Sequence, residues 1–374
     1  MARPFDVVII GGGIIGTATG YYLARKGLKV AVLEKGFLTS GSTGRCIGGI
    51  RQQFTTRSSI LIAMESVRIF KTLGEEFGFD IEWHQGGYLF LAHSEEKERA
   101  YKRAIEVQRK FGLEVNYITG EEAREIVPGL NTDGLLGAAY CPHDGQANPF
   151  LVVDGYARGI KQRGGSIFTF TPVTAIHKAR HFRIQTGKGD FEAPVVVNAA
   201  GPWVAEIGAM VGVEIPAQPE RHEALITERR SLFMEPMIVD YRPDGCYFQQ
   251  LHSTGQLIGC YTPDPKVPGR DVSSTSEFLR EMGRRMVRIL PKLGEIRVLR
   301  QWAGSYTMSP DGSPIVGESG VEGFYIAGAM SGHGFMFGPG IGRCLAELIV
   351  GNESPIDLSE FRPDREFVRA EALK

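Results

Sequence analysis

Cysteine is scarce in this chain: five residues in 374. Cys46, Cys141, Cys246, Cys260 and Cys344 form no Cys-x-x-Cys pair, and their number is odd. That argues against a structural zinc site and a disulfide framework, and it fits a reducing compartment. Neither sign of charge is in excess, since the formal net charge is −1. A nucleic-acid partner, which demands a basic face, is therefore not expected. The most basic stretch, "REMGRRMVR" (280–288), reads as the solvated side of a helix whose other side carries Phe278, Leu279, Met282, Met286 and Leu290. No unbroken apolar run is long enough to span a membrane. The early apolar run "VVIIGGGIIGTATGYYLA" is interrupted by glycines and has no basic leader, so no secretory signal is expected. Repeats, Pro-rich linkers and low-complexity tracts are also missing. The expectation is a cytoplasmic protein with an ordinary core and no bound metal.

Glycine, in contrast, is plentiful, at 48 residues. Its placement in "FDVVIIGGGIIGTATGYYLARKGLKVAVLEKG" (5–36) is informative. Phe5–Ile10 is an apolar, β-branched run, as in a strand buried on both faces. Gly11-x-Gly13-x-x-Gly16 follows at once, then a helix from Ile14 to Lys26 closed by Gly27, then a second buried strand ending in Glu34. Gly11 permits the tight turn, Gly13 lets the backbone approach a pyrophosphate, and Gly16 lets the helix pack on the strand. The helix N-terminus, around Ile15, offers free N–H groups to phosphates. Glu34 follows at roughly the 20-residue distance where an acid holds the adenosine ribose, and Lys35 stands beside it. The next stretch, "GFLTSGSTGRCIGGIRQQF" (36–54), is a long polar loop rather than a quick return to helix and strand. Ser42, Thr43, Gly44 and Arg45 suit a second phosphate and a ribityl chain, and Cys46–Ile50 lead toward a ring system. This favours FAD over NAD.

A second glycine cluster, "SGHGFMFGPGIG" (331–342), lies between the apolar run "GFYIAGA" (323–329) and the helical pattern "GRCLAELIVG" (342–351). With "VVVNAAGPW" (195–203) and "WAGSYTMSPDGSPIVG" (302–317), these motifs cover nearly the whole chain. Together the chain resembles the FAD-dependent amino-acid and amine oxidoreductases, the D-amino-acid oxidase superfamily. Within it the chain is similar to the sarcosine oxidase β-subunit branch. "GIRQQF" with "SGHGFM" looks most like the β subunits of dye-linked L-proline dehydrogenases.

The resemblance implies an α/β fold: a Rossmann-like FAD-binding domain of glutathione-reductase type with an inserted antiparallel-sheet substrate domain. The FAD part is expected to be discontinuous, at 1–85, 141–217 and 301–374, with the substrate part at 86–140 and 218–300. In the second inserted segment "ERHEALITE", "PMIVD", "CYFQQL" and "QLIGCY" read as strands. Thr119–Glu122 reads as a capping box, and 55–80, 94–111 and 148–165 as helices.

Family roles carry over residue by residue. Val173, Ala200, Gly201, Trp203, Gly304, Gly332, Gly334, Phe335 and Met336 are expected around FAD. "SGHGF" is expected at the edge of the isoalloxazine, with a helix after Pro339 aimed at its pyrimidine side. Arg51 matches the arginine that grips the substrate carboxylate, and His333 belongs beside the pocket. Tyr247, Tyr261 and Tyr306 are expected as polar aromatic lining, with His222 on a neighbouring strand. Three departures matter. Met336 stands where the family often has a second carboxylate-binding lysine. Gly304 stands where some oxidases attach FAD through cysteine, so non-covalent FAD is expected. Leu257 aligns with an oxygen-activating lysine, which favours a dehydrogenase over an oxidase. His143 in "CPHDGQ" lies in the region where some relatives hold FMN against a partner subunit, so an α-type partner is a further expectation. The expected substrate is a small amine or amino acid, L-proline-like or sarcosine-like. An oxygen-using oxidase, and a non-catalytic or RNA-modifying flavoprotein, stand as alternatives.

Overall fold

The computed structural model describes residues 2–368 and 370–373. Its centre is a six-stranded sheet in the order Ile315–Glu318, Phe324–Gly328, Val195–Asn198, Val7–Ile10, Val30–Leu33, Ser166–Phe168. Every neighbouring pair is parallel except the first. Parallel strands need both faces covered, which explains why Val7–Ile10 is apolar throughout. Val7 and Ile9 pack against the helices Ile14–Arg25, Arg57–Phe77, Pro149–Gln162 and Gly334–Ile349. Val8 and Ile10 face the other way, toward Ile176, Phe182, Ile184 and Phe191. Those residues belong to a small four-stranded sheet of Arg3–Pro4, Phe191–Ala193, Phe182–Thr186 and Val173–Lys178. Sequence patterning did not anticipate this sheet, because its strands are short and flanked by charged turns.

The second large unit is an eight-stranded sheet, ordered Val298–Met308, Gln218–Arg229, Gln256–Cys260, Tyr247–Gln250, Met237–Asp240, Tyr88–Ala92, Gly137–Cys141, Asn116–Ile118. It is antiparallel apart from one parallel pair, Met237–Asp240 on Tyr88–Ala92. Strands come from both inserted segments, so the fold is a Rossmann-like domain carrying an antiparallel sheet. The last strand, Val298–Met308, continues the substrate sheet past residue 300. One face packs on the helix Ser276–Ile289, which buries Phe278, Met282 and Met286. Leu279, expected on that buried face, is instead exposed, since it falls beside the stripe rather than in it. The capping box at Thr119 and Glu122 is present. The closing helix begins at Gly334 and contains Pro339, so it starts eight residues before the helical pattern read from sequence at 342 and includes the proline expected to precede it. Pro339 lies in the second turn, past the first N–H groups that lack an intrahelical partner, so the helix forgoes one bond to the Phe335 carbonyl there.

Candidate functional site

The cofactor end is built mainly from backbone. Gly11 has φ of 117°, and a Cβ there would lie 2.3 Å from the Ala199 carbonyl oxygen. A Cβ on Gly16 would lie 2.0 Å from the carbonyl oxygen of Gly11. The turn and the helix–strand approach therefore both require glycine. The helix Ile14–Arg25 starts at Gly13 with no side-chain cap, which leaves N–H groups for a phosphate. Thr43 folds over this end, its Oγ1 accepting from the Ile14 N–H at 3.1 Å. Glu34 is buried, and its two oxygens accept from the Gly12 and Gly36 N–H groups, both at 2.7 Å. The Lys35 ammonium lies 2.8 Å from the Trp203 ring centroid, and burial lowers its pKa.

One cavity of about 560 Å³ connects this end to the substrate sheet. Two neighbouring strands of the substrate sheet supply much of its wall. Glu220, His222 and Ala224 alternate along one strand, and Gly304, Tyr306 and Met308 along its antiparallel neighbour; all six line the cavity. Tyr247 pairs in register with Cys260, and both line it too. The Tyr247 and Tyr306 hydroxyls are 3.0 Å apart. The His222 ring stacks on Tyr306 at 3.8 Å with its Nδ1 buried and unpartnered. Burial pushes the His222 pKa down to about 4, so the ring is neutral. Gly332, at φ of 87°, lets the chain pass Tyr306; a Cβ there would meet the ring at 2.4 Å.

Arg51 and His333 meet at the far end of the cavity, Nη2 to Nε2 at 3.0 Å. Because a guanidinium only donates, His333 Nε2 is the acceptor. The two residues that follow Arg51 in the chain are held by Asp144, a fully buried carboxylate. Asp144 accepts from the Gln52 N–H at 2.8 Å and from the Gln52 and Gln53 side-chain amides, both at 3.1 Å. Burial raises its pKa to about 6, against the pull of these donors.

The expected cofactor residues Gly11, Gly13, Ile15, Glu34, Lys35, Ser42, Thr43, Arg45 and Cys46 all line the cavity, as do Val173, Ala200, Gly201, Trp203 and Gly304. So do Gly332, Gly334, Phe335 and Met336. Gly16 lies behind it, against Gly11. On the substrate side Arg51, Tyr247, Tyr306, His333 and Met336 come together. Tyr261 does not. It follows cavity-facing Cys260 by one residue, so its ring is on the opposite face, stacked on Phe278 at 5.2 Å. Leu257 is three residues from Cys260 and likewise points away, into the apolar core under the sheet. The cavity's lysine on this side is Lys266, exposed at the mouth and paired with Glu220 at 3.0 Å. His143 is bonded to Gln85 and Glu114 on the surface, and the buried residue of its motif is Asp144. Tyr88, Met237, Val239 and Tyr241 also line the cavity and were not read from sequence. Only their aromatic or apolar type was visible, and their convergence depends on strand pairing.

Comparison with known proteins decides the family. The model of the FAD dependent oxidoreductase family matches residues 6–348. The chain belongs to that family. It is 30% identical to glycine oxidase of Geobacillus kaustophilus (strain HTA426), over 96% of this chain and 97% of that one. It is 29% identical to sarcosine oxidase subunit beta of Rhizobium meliloti (strain 1021), over 96% of this chain and 88% of that one. It spans less than half, 44%, of human mitochondrial dimethylglycine dehydrogenase, at 30% identity over 96% of this chain. Among solved structures, L-proline dehydrogenase from P. horikoshii superposes with a TM-score of 0.92 at 36% identity, covering 97% of this chain and 98% of that one. The chain is thus an FAD-dependent oxidoreductase acting on the CH–NH bond of amino acids or amines. The residues present fit FAD: a helix start at Gly13 with glycine backbone for the pyrophosphate, buried Glu34 for the ribose, and one continuous cavity beyond. No helix among the described residues is long and apolar enough to cross a membrane.

Proposed function

We propose that this protein is a dehydrogenase of a cyclic or N-methylated amino acid, L-proline foremost, with FAD bound non-covalently in a discontinuous domain. FAD supplies the acceptor for the hydride lost from the carbon next to nitrogen. The chain's own residues bind and orient the amine. Arg51 receives the carboxylate, a guanidinium being suited to two-point contact. Tyr247, Tyr306 and Met336 form an aromatic and apolar wall for a small ring, and the helix start at Gly334 closes the opposite side. Burial pushes the Cys46 and Cys260 thiols up to about 12, so neither is a thiolate poised to attach a flavin. The observation that carries the reading is the meeting of Arg51 and His333 beneath two cavity-facing tyrosines. The likeness to L-proline dehydrogenase from P. horikoshii supports the substrate.

Electron transfer to an acceptor other than oxygen is favoured by the strand that faces the cavity with Cys260 and turns Leu257 away. No cation from that strand stands ready to stabilise a superoxide-like intermediate. An oxidase is the second reading, favoured by the 30% identity with glycine oxidase. The likeness to sarcosine oxidase subunit beta supports assembly with an α-type subunit. FMN at such a contact, near surface His143, goes with that assembly. The test is anaerobic addition of L-proline to the FAD-loaded protein. Bleaching of the flavin bands, with slow return in air, is expected; fast return with hydrogen peroxide selects the oxidase. Bands that L-proline leaves unchanged remove this substrate.

A further inference from the structure

Arg51 already has a tenant. The residue is 4% exposed, and its guanidinium lies 4.0 Å from the Phe54 ring centroid. Nη1 donates to the Gln53 carbonyl. Nη2 donates to the Leu373 carbonyl and to His333 Nε2. Both N–H groups of Nη2 are thereby committed. A guanidinium has two forks that fit a carboxylate, Nη1 with Nη2 and Nε with Nη2, and each includes Nη2. A two-point grip on a carboxylate therefore requires one of the present acceptors to leave.

Of the two acceptors, His333 caps the helix Gly334–Ile349, whereas the Leu373 carbonyl belongs to a segment outside any helix or strand, held in place by side chains. Glu371, 1% exposed, places its carboxylate at the start of the helix Arg57–Phe77. It accepts from the Thr55 N–H at 2.9 Å, the Thr56 N–H at 3.1 Å and both threonine hydroxyls, at 2.6 and 3.2 Å. A carboxylate at a helix N-terminus is favoured by charge and by unsatisfied donors together. The Glu371 N–H donates to the Asp311 carbonyl, and Arg365 pairs with the Asp311 side chain at 2.9 Å. The Leu373 side chain is buried in the cluster that holds Tyr88 and Val239, two residues of the cavity wall. One stretch, Arg51–Thr56, thus carries both the proposed carboxylate receptor and the socket for the segment that covers it.

We infer that the Glu371–Leu373 segment is an internal competitor of the substrate carboxylate and so sets the selectivity of the site. An amine with a carboxylate must displace the Leu373 carbonyl to be gripped at two points; an amine without one need not. Glu371 is a positioning residue in this scheme, acting through Leu373 on Arg51. The inference rests on the proposed role of Arg51.

The experiment compares the FAD-loaded wild type with Glu371→Gln, which keeps the size but weakens the seat. KM for L-proline should fall by roughly 3- to 10-fold, about the value of one charge-assisted bond. The kcat should stay within about twofold, and KM for pyrrolidine, the same ring without a carboxylate, should not move. An unchanged or higher KM for L-proline, at equal FAD content and thermal midpoint, overturns the inference. A second measurement needs no variant. Tetrahydro-2-furoate, a ring acid with no oxidisable N–H, should speed hydrogen exchange at the Ala372 and Leu373 amides of the wild type. Unchanged or slower exchange overturns the inference, as does failure of this acid to perturb the flavin spectrum of either protein. Failure of L-proline to bleach the flavin while the acid still speeds exchange tells instead against the proposed substrate.

Discussion

The two ends of the cavity are made in different ways. Around the pyrophosphate site the walls are main chain, and the decisive atoms are missing ones: the Cβ atoms that Gly11 and Gly16 do without. Around Arg51 the walls are side chains delivered by distant parts of the sequence. Arg51 bonds to His333 and Tyr247 to Tyr306, while Asp144 and Glu371, which do not line the cavity, brace the Gln52–Thr56 stretch beside Arg51, so no local motif holds this end. The first kind of site tolerates no atom added. The second tolerates rearrangement, so its residues can be exchanged to suit a different amine while the cofactor stays in place.

Adding one atom at the cofactor end is the strongest way to test this contrast. In Gly16→Ala the new Cβ would stand 2.0 Å from the Gly11 carbonyl oxygen, and the atom it meets is backbone. FAD affinity should fall by more than about 100-fold, because the strand–helix spacing must open where the pyrophosphate sits. Flavin absorbance per chain after gel filtration reads this directly. Retention of stoichiometric FAD would mean that the helix can shift freely and that the backbone is not the rigid partner.

At the other end the corresponding change is removal of a hub. Asp144→Ala leaves the buried Gln52 N–H and two glutamine amides without their acceptor. The expected loss is about 3 kcal/mol of stability, the cost of several unsatisfied buried donors softened by relaxation. KM for the amine should rise well beyond any change in FAD content, since Arg51 sits next to Gln52 in the chain. Calorimetry and steady-state kinetics check the two halves. Equal losses of FAD and amine binding would erase the distinction between the ends.

The same contrast explains what could be read from the sequence. Gly11, Gly13, Gly16 and Glu34 lie within one βαβ unit, so their roles follow from spacing and sterics alone. Arg51, His333 and Met336 were placed through family resemblance, and nothing in their neighbours' types demanded it. Tyr261 and Leu257 were misplaced because parity in a strand is not visible until one residue of that strand is anchored. Once Cys260 is known to face the cavity, both point away. Tyr88, Tyr241 and Glu371 were not legible at all. Their positions depend on pairing between strands and segments far apart in the chain, for which composition carries no signal. In "CPHDGQ" the histidine drew attention as the reactive type, whereas the buried neighbour Asp144 holds the loop.

A smaller effect than these two concerns His222, a side chain that belongs to the amine end yet makes no hydrogen bond through Nδ1. Its pKa is depressed from 6.5 to about 4, first by burial and then by the charge of Lys266. The unfolded chain takes up a proton near pH 6.5 that the folded chain refuses until about pH 4. Stability from this group is therefore whole above pH 6.5 and is lost as pH falls toward 4. Between pH 7 and pH 5 the loss amounts to about 2 kcal/mol. His222→Phe keeps a flat ring against Tyr306 and removes the titrating nitrogen, so the variant should lack this part of the acid sensitivity. Unfolding curves of both FAD-saturated proteins at the two pH values give the difference in slope. Parallel pH dependence would mean that the imidazole takes a proton in the folded state as readily as in the unfolded one. His222 would then face solvent or an acceptor across the cavity, and the amine end would be more open than its tyrosine wall implies.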